Sequence, residues 1–175
     1  MYDSPPPSAV RYTLPRLRVR INEPVTTDLR INDIVDRMTA SEKFATIESS
    51  GETIRCRARD VESDAFYILT RTDAGLIVRF ETPDRWLSES VESDLYNSSD
   101  SLEELLEESL DELEWPVDEI PVTTFRHFRR DDLLYTVEND VPTGDDATEV
   151  GGTWLLAYEA TFRELSDVAG ETEDA

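Results

Sequence analysis

The 175-residue sequence is poor in cysteine, histidine and glycine, with one cysteine, one histidine and six glycines. A lone cysteine, Cys56, excludes an intrachain disulfide and any cysteine-based zinc site. The glycines form neither a phosphate-binding lysine loop nor a dinucleotide-binding fingerprint, and we interpret "DAGLIV" and "EVGGTW" as turns. The sequence therefore predicts no nucleotide-dependent enzyme and no cofactor.

Long apolar runs are also absent. The longest, such as "AFYIL" and "WLLAY", are too short to span a bilayer. The first ten residues, "MYDSPPPSAV", have neither the basic start nor the apolar run of a signal peptide. We therefore expect a soluble intracellular protein with no membrane partner.

Lysine is nearly missing, since Lys43 is the only one among 17 bases, which oppose 40 acids to give a net charge of −23. This composition is typical of halophilic archaea, where dense carboxylates stay hydrated while molar salt screens their mutual repulsion. A virus of such a host would have the same composition. We therefore predict a protein adapted to high salt, located in the cytoplasm or in a virion.

The charge is unevenly distributed along the chain. Residues 1–60 hold 10 bases and 9 acids, whereas residues 61–175 hold 7 bases and 31 acids. Within the first third, arginines alternate with apolar residues in "RLRVRI" and "IRCRARD", a pattern that places them on one face of a strand. We name these the first and second arginine ladders: Arg16, Arg18 and Arg20 in the first, and Arg55, Arg57 and Arg59 in the second.

The order of elements predicts a single α+β domain, with a largely antiparallel sheet of six or seven short strands and about four amphipathic helices. The domain is predicted to span residues 11–168, between a flexible arm at 1–10 and a polar tail at 169–175. Ser101 and Glu104 have the spacing of a capping box at the start of an acidic helix. The predicted strands are 11–21, 44–48, 54–61, 65–70, 76–80, 121–128 and 133–138, and the predicted helices are 26–38, 82–95, 102–114 and 154–168.

Candidate catalytic and metal-binding residues are few. His127 has no nearby serine or cysteine that would make it a general base, so we interpret it as a surface residue. Cys56 shares its strand face with Ile54 and Ala58, which indicates a small core residue. The carboxylates of the acidic helix and of "DVPTGDDATE" lack the convergent arrangement of a magnesium or calcium site. No catalytic residue and no metal ligand is predicted.

The arginine ladders are open to three interpretations: docking onto the protein's own acidic helix, binding to an acidic protein or another copy of this chain, and binding to nucleic-acid phosphate. Molar salt shortens the screening length to about 3 Å and weakens binding by counterion release. We therefore favour a non-enzymatic protein-interaction or assembly subunit that uses the near-neutral first third as its interface. A small nucleic-acid-binding regulator using both ladders is the alternative, and an acid–base or metal-dependent enzyme is the least favoured.

Overall fold

The computed structural model describes residues 29–61, 64–84, 101–142 and 146–167, together with Glu89 and Ser93. These residues form an α+β fold in which helices cover one face of an antiparallel sheet, so the predicted fold class is confirmed. The predicted arm, tail and first strand, and most of the helix predicted at 82–95, lie outside the described residues.

The described sheet has six antiparallel strands in the order β1-β2-β3-β4-β6-β5, which makes β1 and β5 its edges. Five of the predicted strands are found with shifted ends. The sixth, predicted at 121–128, is reduced to four exposed residues at the edge of the sheet. The strands are β1 Phe44–Ser50, β2 Thr53–Ala58, β3 Phe66–Thr72, β4 Gly75–Thr82, β5 Arg126–Arg129 and β6 Tyr135–Val141.

Three helices are present in the described part of the chain, against the four predicted: α1 Ile31–Ser41, α2 Leu102–Glu112 and α3 Ala147–Asp167. Helix α2 begins at the predicted capping box, with the Ser101 hydroxyl accepting from the Glu104 backbone N–H and the Glu104 carboxylate accepting from the Ser101 N–H. Helix α1 begins later than predicted. Its N-cap is Arg30, whose side chain makes no capping hydrogen bond.

Helix α3 is the centre of the fold, and it corrects the prediction that "EVGGTW" is a turn. It starts at Ala147, seven residues before the predicted start, and every residue from Val150 to Glu159 is buried. Gly151 allows a close approach to the sheet, because a Cβ there would lie 2.8 Å from Leu69 Cδ2. Helix α3 is therefore buried on several sides. Its apolar residues are not confined to one face, so its sequence lacks the pattern expected of a surface helix.

The two faces of the sheet have different environments. Helix α1 packs on β1 and β2, and α3 packs on β3, β4 and β6, so these helices define a covered face. On it, Phe80 stacks on Phe162 of α3 with ring centroids 4.5 Å apart, and the Tyr158 hydroxyl donates to Asn139 Oδ1. Helix α2 packs on α3 on the same side. We name the opposite side, on which none of the three described helices packs, the open face.

Candidate interface on the open face of the sheet

The second arginine ladder is partly confirmed as a strand feature. Arg55 and Arg57 lie on β2, alternate with the buried Ile54, Cys56 and Ala58, and are half-buried on the open face. Arg59 lies one residue beyond the end of β2 and is exposed.

The first ladder, Arg16, Arg18 and Arg20, lies outside the described residues. The structure therefore places only the second ladder on this face.

Arg55 is held by an aromatic ring and not by a carboxylate. Its guanidinium carbon lies 3.6 Å from the centroid of the Phe66 ring, on the neighbouring strand β3. Its Nε is buried and has no hydrogen-bond acceptor in the structure. Glu48 faces Arg55 across β1 and β2, but the two side chains form no ion pair. Among the described residues, Arg55 therefore has no anionic partner.

The other two arginines of the second ladder make short-range contacts within the same end of the sheet. Arg57 Nη2 lies 3.2 Å from Asp64 Oδ1, and both side chains are substantially exposed to solvent. Arg59 Nη2 donates to the backbone carbonyl of Phe44, at 3.1 Å. Neither contact involves the acidic helix α2, so the interpretation that this ladder docks onto that helix does not hold for Arg57 and Arg59.

The remaining described arginines of the first third, Arg30 and Arg37, attach α1 to α3. Arg37 Nη1 donates to the Glu149 carbonyl and to the Thr153 hydroxyl, both at 3.2 Å. Arg30 Nη2 lies 3.3 Å from Asp146, just before α3. These two bases therefore have a structural role on the covered side.

A dense ion-pair network occupies the other end of the open face, across β4, β6 and β5. Glu138 accepts from Arg79 Nε at 2.6 Å and from Arg126 Nε at 2.9 Å. Arg126 also makes a bidentate pair with Asp140, at 2.7 and 3.0 Å. We name Arg79, Arg126, Glu138 and Asp140 the ion-pair network. Hydrogen bonds from Arg126 lower the pKa of Asp140, and the same bonds raise the pKa of Arg126.

A second, adjacent contact ties the hairpin that follows β5 to the sheet. Arg130 Nη1 donates at 2.8 Å to Glu81, a carboxylate on β4 that is 3% exposed. Arg130 also lies 3.5 Å from Asp132. The sequence offered a signal for these contacts, the arginines of "FRHFRR", but the partners become visible only once β5 is paired with β6 and β6 with β4.

The other candidate residues have clear positions. Cys56 is fully buried, and burial raises the pKa of its thiol to about 12, which confirms it as a core residue. His127 lies on the exposed edge strand β5, in agreement with its interpretation as a surface residue.

Most of the described acidic residues lie at the surface, but Glu81, Glu138 and Glu159 are buried. In the described ranges, no three histidine, cysteine, aspartate or glutamate side chains come together in a cluster that could hold a metal ion. Glu159 is a buried carboxylate. One of its oxygens lies 3.3 Å from Nζ of Lys43, the only lysine, and the other lies 3.4 Å from Nε of Arg163. This arrangement neutralises a carboxylate inside the core, where an unpaired charge would be costly.

None of the described helices is long and apolar enough to cross a membrane. Comparison of the chain with protein-family models, with curated proteins and with solved structures gives no match.

Proposed function

We propose that this chain is a non-enzymatic assembly subunit, adapted to the high salt of a halophilic archaeon or its virus. Its interface is the end of the open face that carries Arg55 and Arg57, and its partner is an acidic protein surface. The rest of the molecule supplies the hydrated, strongly acidic surface that keeps it soluble.

The observation that carries the proposal is the state of Arg55. Its buried Nε has no acceptor among the described residues, and a buried donor without an acceptor costs free energy. The guanidinium carbon lies 3.6 Å from the centroid of the Phe66 ring, and the half-buried side chain remains partly open to solvent. A carboxylate from a partner would pair with the terminal nitrogens of the guanidinium, in the bidentate geometry that arginine favours.

Salt favours this kind of contact. At molar ionic strength the screening length falls to about 3 Å, so only charges in direct contact attract one another strongly. Arg55 meets that condition because its guanidinium is oriented and half-buried before a partner arrives. A pre-ordered side chain also loses less conformational freedom on binding than a mobile one.

The same contacts disfavour the nucleic-acid alternative. Arg79, Arg126 and Arg130 already bind carboxylates on the open face or beside it. Those carboxylates would repel phosphate, and binding by counterion release weakens steeply at high salt. A protein partner therefore agrees better with the charges on this face.

The test is size-exclusion chromatography with light scattering, on protein purified from a halophilic host in molar potassium chloride. We expect a mass above the 20.0 kDa monomer, lost in Arg55→Ser and in the triple variant with Arg57→Ser and Arg59→Ser. Arg129→Ser is the matched control, because Arg129 also lies over an aromatic ring, 5.5 Å from that of Tyr135.

Three results would contradict the proposal. The first is an assembly that survives the triple substitution. The second is a monomer in the wild-type protein. The third is a peak whose 260-to-280 nm absorbance ratio shows bound nucleic acid, which would favour the regulator instead. Circular dichroism on each variant establishes that the domain is folded.

A further inference from the structure

We infer that the acidic surface bound by Arg55 is helix α2 of a second copy of this chain, so that the copies associate head to tail. The inference rests on the proposed function, because it names the partner of the same interface. It follows from the charges of α2, from the spacing of those charges and from the position of α2 in the fold.

Helix α2 carries carboxylates that pair with no cation among the described residues. Glu103 and Glu104 are used locally, the first by the backbone N–H of Phe125 and the second by the capping box. The other four acidic residues of α2 form no ion pair with any part of the chain that the structure describes. They are Glu107, Glu108, Asp111 and Glu112.

The C-terminal turn of α2 is where a cation would stabilise most. The carbonyl end of a helix carries partial negative charge, so acidic side chains there are unfavourable and cations are favourable. Asp111 and Glu112 occupy this turn, and it contains no basic residue. A guanidinium from another molecule would offset both the side-chain charges and the helix dipole.

The spacing of charges on the two surfaces matches. Arg55 and Arg57 are two residues apart on a strand, which separates them by about 6.7 Å along its axis. Glu108 and Glu112 are four residues apart on a helix, which separates them by about 6 Å along its axis. Two adjacent arginine–carboxylate pairs can therefore form together when Arg57 exchanges its exposed contact with Asp64 for one with the helix.

The fold prevents one copy from making this contact with itself. Helix α2 packs on α3, with the hydroxyls of Ser109 and Thr161 2.8 Å apart, and α3 lies on the covered face of the sheet. The sheet itself therefore separates α2 from Arg55. A contact between two different surfaces of identical chains repeats from copy to copy, and it forms a ring or a filament depending on whether the rotation closes.

A charge-swap experiment tests this contact. The first variant is Arg55→Glu, and the second combines Glu108→Arg with Glu112→Arg. Either variant by itself should raise the dissociation constant of the assembly by about tenfold or more, because like charges then face one another. An equal mixture should recover the wild-type mass, since each interface then joins opposite charges. Asp73→Arg, an exposed change in the turn between β3 and β4, is the control and should assemble normally.

Two outcomes would overturn the inference. Both differ from the results that would contradict the proposed function. If the α2 variant assembles like the wild type while Arg55→Glu does not, Arg55 is an interface residue whose partner is not α2. If both variants are folded monomers and their mixture stays monomeric, the two surfaces do not pair with each other. Circular dichroism and the milder Glu108→Gln exclude misfolding as the cause.

Discussion

The two ends of the open face use arginine differently. At the end formed by β4, β6 and β5, Arg79 and Arg126 share Glu138, and Arg126 also binds Asp140. At the end formed by β1, β2 and β3, Arg55 stacks on Phe66 and has no carboxylate among the described residues. We name these the paired end and the unpaired end, the second after Arg55, because Arg57 at that end lies 3.2 Å from Asp64.

This acidic protein uses its few bases in two ways. In the acidic second part of the chain, arginines on this face neutralise carboxylates that the fold partly buries, and so stabilise the sheet. In the near-neutral first third, α1 uses its arginines to contact α3, and β2 retains one whose hydrogen-bonding capacity is incomplete. The uneven charge of the sequence thus corresponds to two structural roles, and the predictions below test that division.

The largest effect is expected at the paired end. Glu138→Ala removes the carboxylate that Arg79 and Arg126 share, and leaves Arg79, whose side chain is 23% exposed, without a counter-charge. Breaking a buried ion pair from one side costs about 3 kcal/mol of the free energy of unfolding. Urea unfolding in molar potassium chloride measures this loss.

The matched change at the unpaired end is Glu48→Ala, which removes the residue that faces Arg55 across the strands. Because Glu48 is exposed and makes no ion pair with Arg55, the loss should stay within about 0.5 kcal/mol. Equal losses in the two variants would contradict the division of the face.

A smaller, pH-dependent effect is expected for Asp140→Asn. Because Arg126 lowers the pKa of Asp140 in the folded state, the ionised carboxylate stabilises the protein at pH values above its unfolded pKa of about 3.9. That contribution is lost as the pH falls through the folded pKa.

The variant should therefore be less stable than the wild type at pH 7 by about 1 kcal/mol or less, since the pair is exposed. The difference should shrink below pH 4. Unfolding curves between pH 7 and pH 2.5 give this dependence. A gap that is as large at pH 2.5 as at pH 7 would refute a titrating ion pair.

An effect similar to that of Asp140→Asn is expected for Phe66→Leu, which removes the ring beneath Arg55 but keeps an apolar side chain. The loss of a partly exposed cation–π contact costs about 0.5–1 kcal/mol. Tyr135→Leu removes the more distant ring from beneath Arg129 and should cost less of this interaction. Association should also weaken in Phe66→Leu alone, because Arg55 then loses its fixed orientation.

Local sequence patterns predicted much of the fold. The alternation around Cys56 placed it in the core beside Ile54, and the spacing of Ser101 and Glu104 predicted the start of α2. These predictions succeeded because each depends on residues close in the chain. The α+β class followed from the same periodicities.

The errors arose where distant residues decide the structure. The local sequence around Gly151 and Gly152 predicts a turn, but both glycines lie inside α3. Gly151 packs closely against Leu69, and Gly152 packs closely against Arg37. The ion-pair network was not predicted for a similar reason. Pairing Arg126 with Glu138 requires the register of β5 on β6, which is not encoded in either segment alone.

The most direct test of the unpaired end is nuclear magnetic resonance of the arginine Nε–H groups, recorded in molar potassium chloride from dilute to concentrated protein. As copies associate, the Arg55 signal should shift, because its guanidinium gains a carboxylate partner. The signals of Arg79 and Arg126 should stay where they are, since their acceptors are already bound. An Arg55 signal that does not change while the protein associates, or equal changes at all three arginines, would contradict the account.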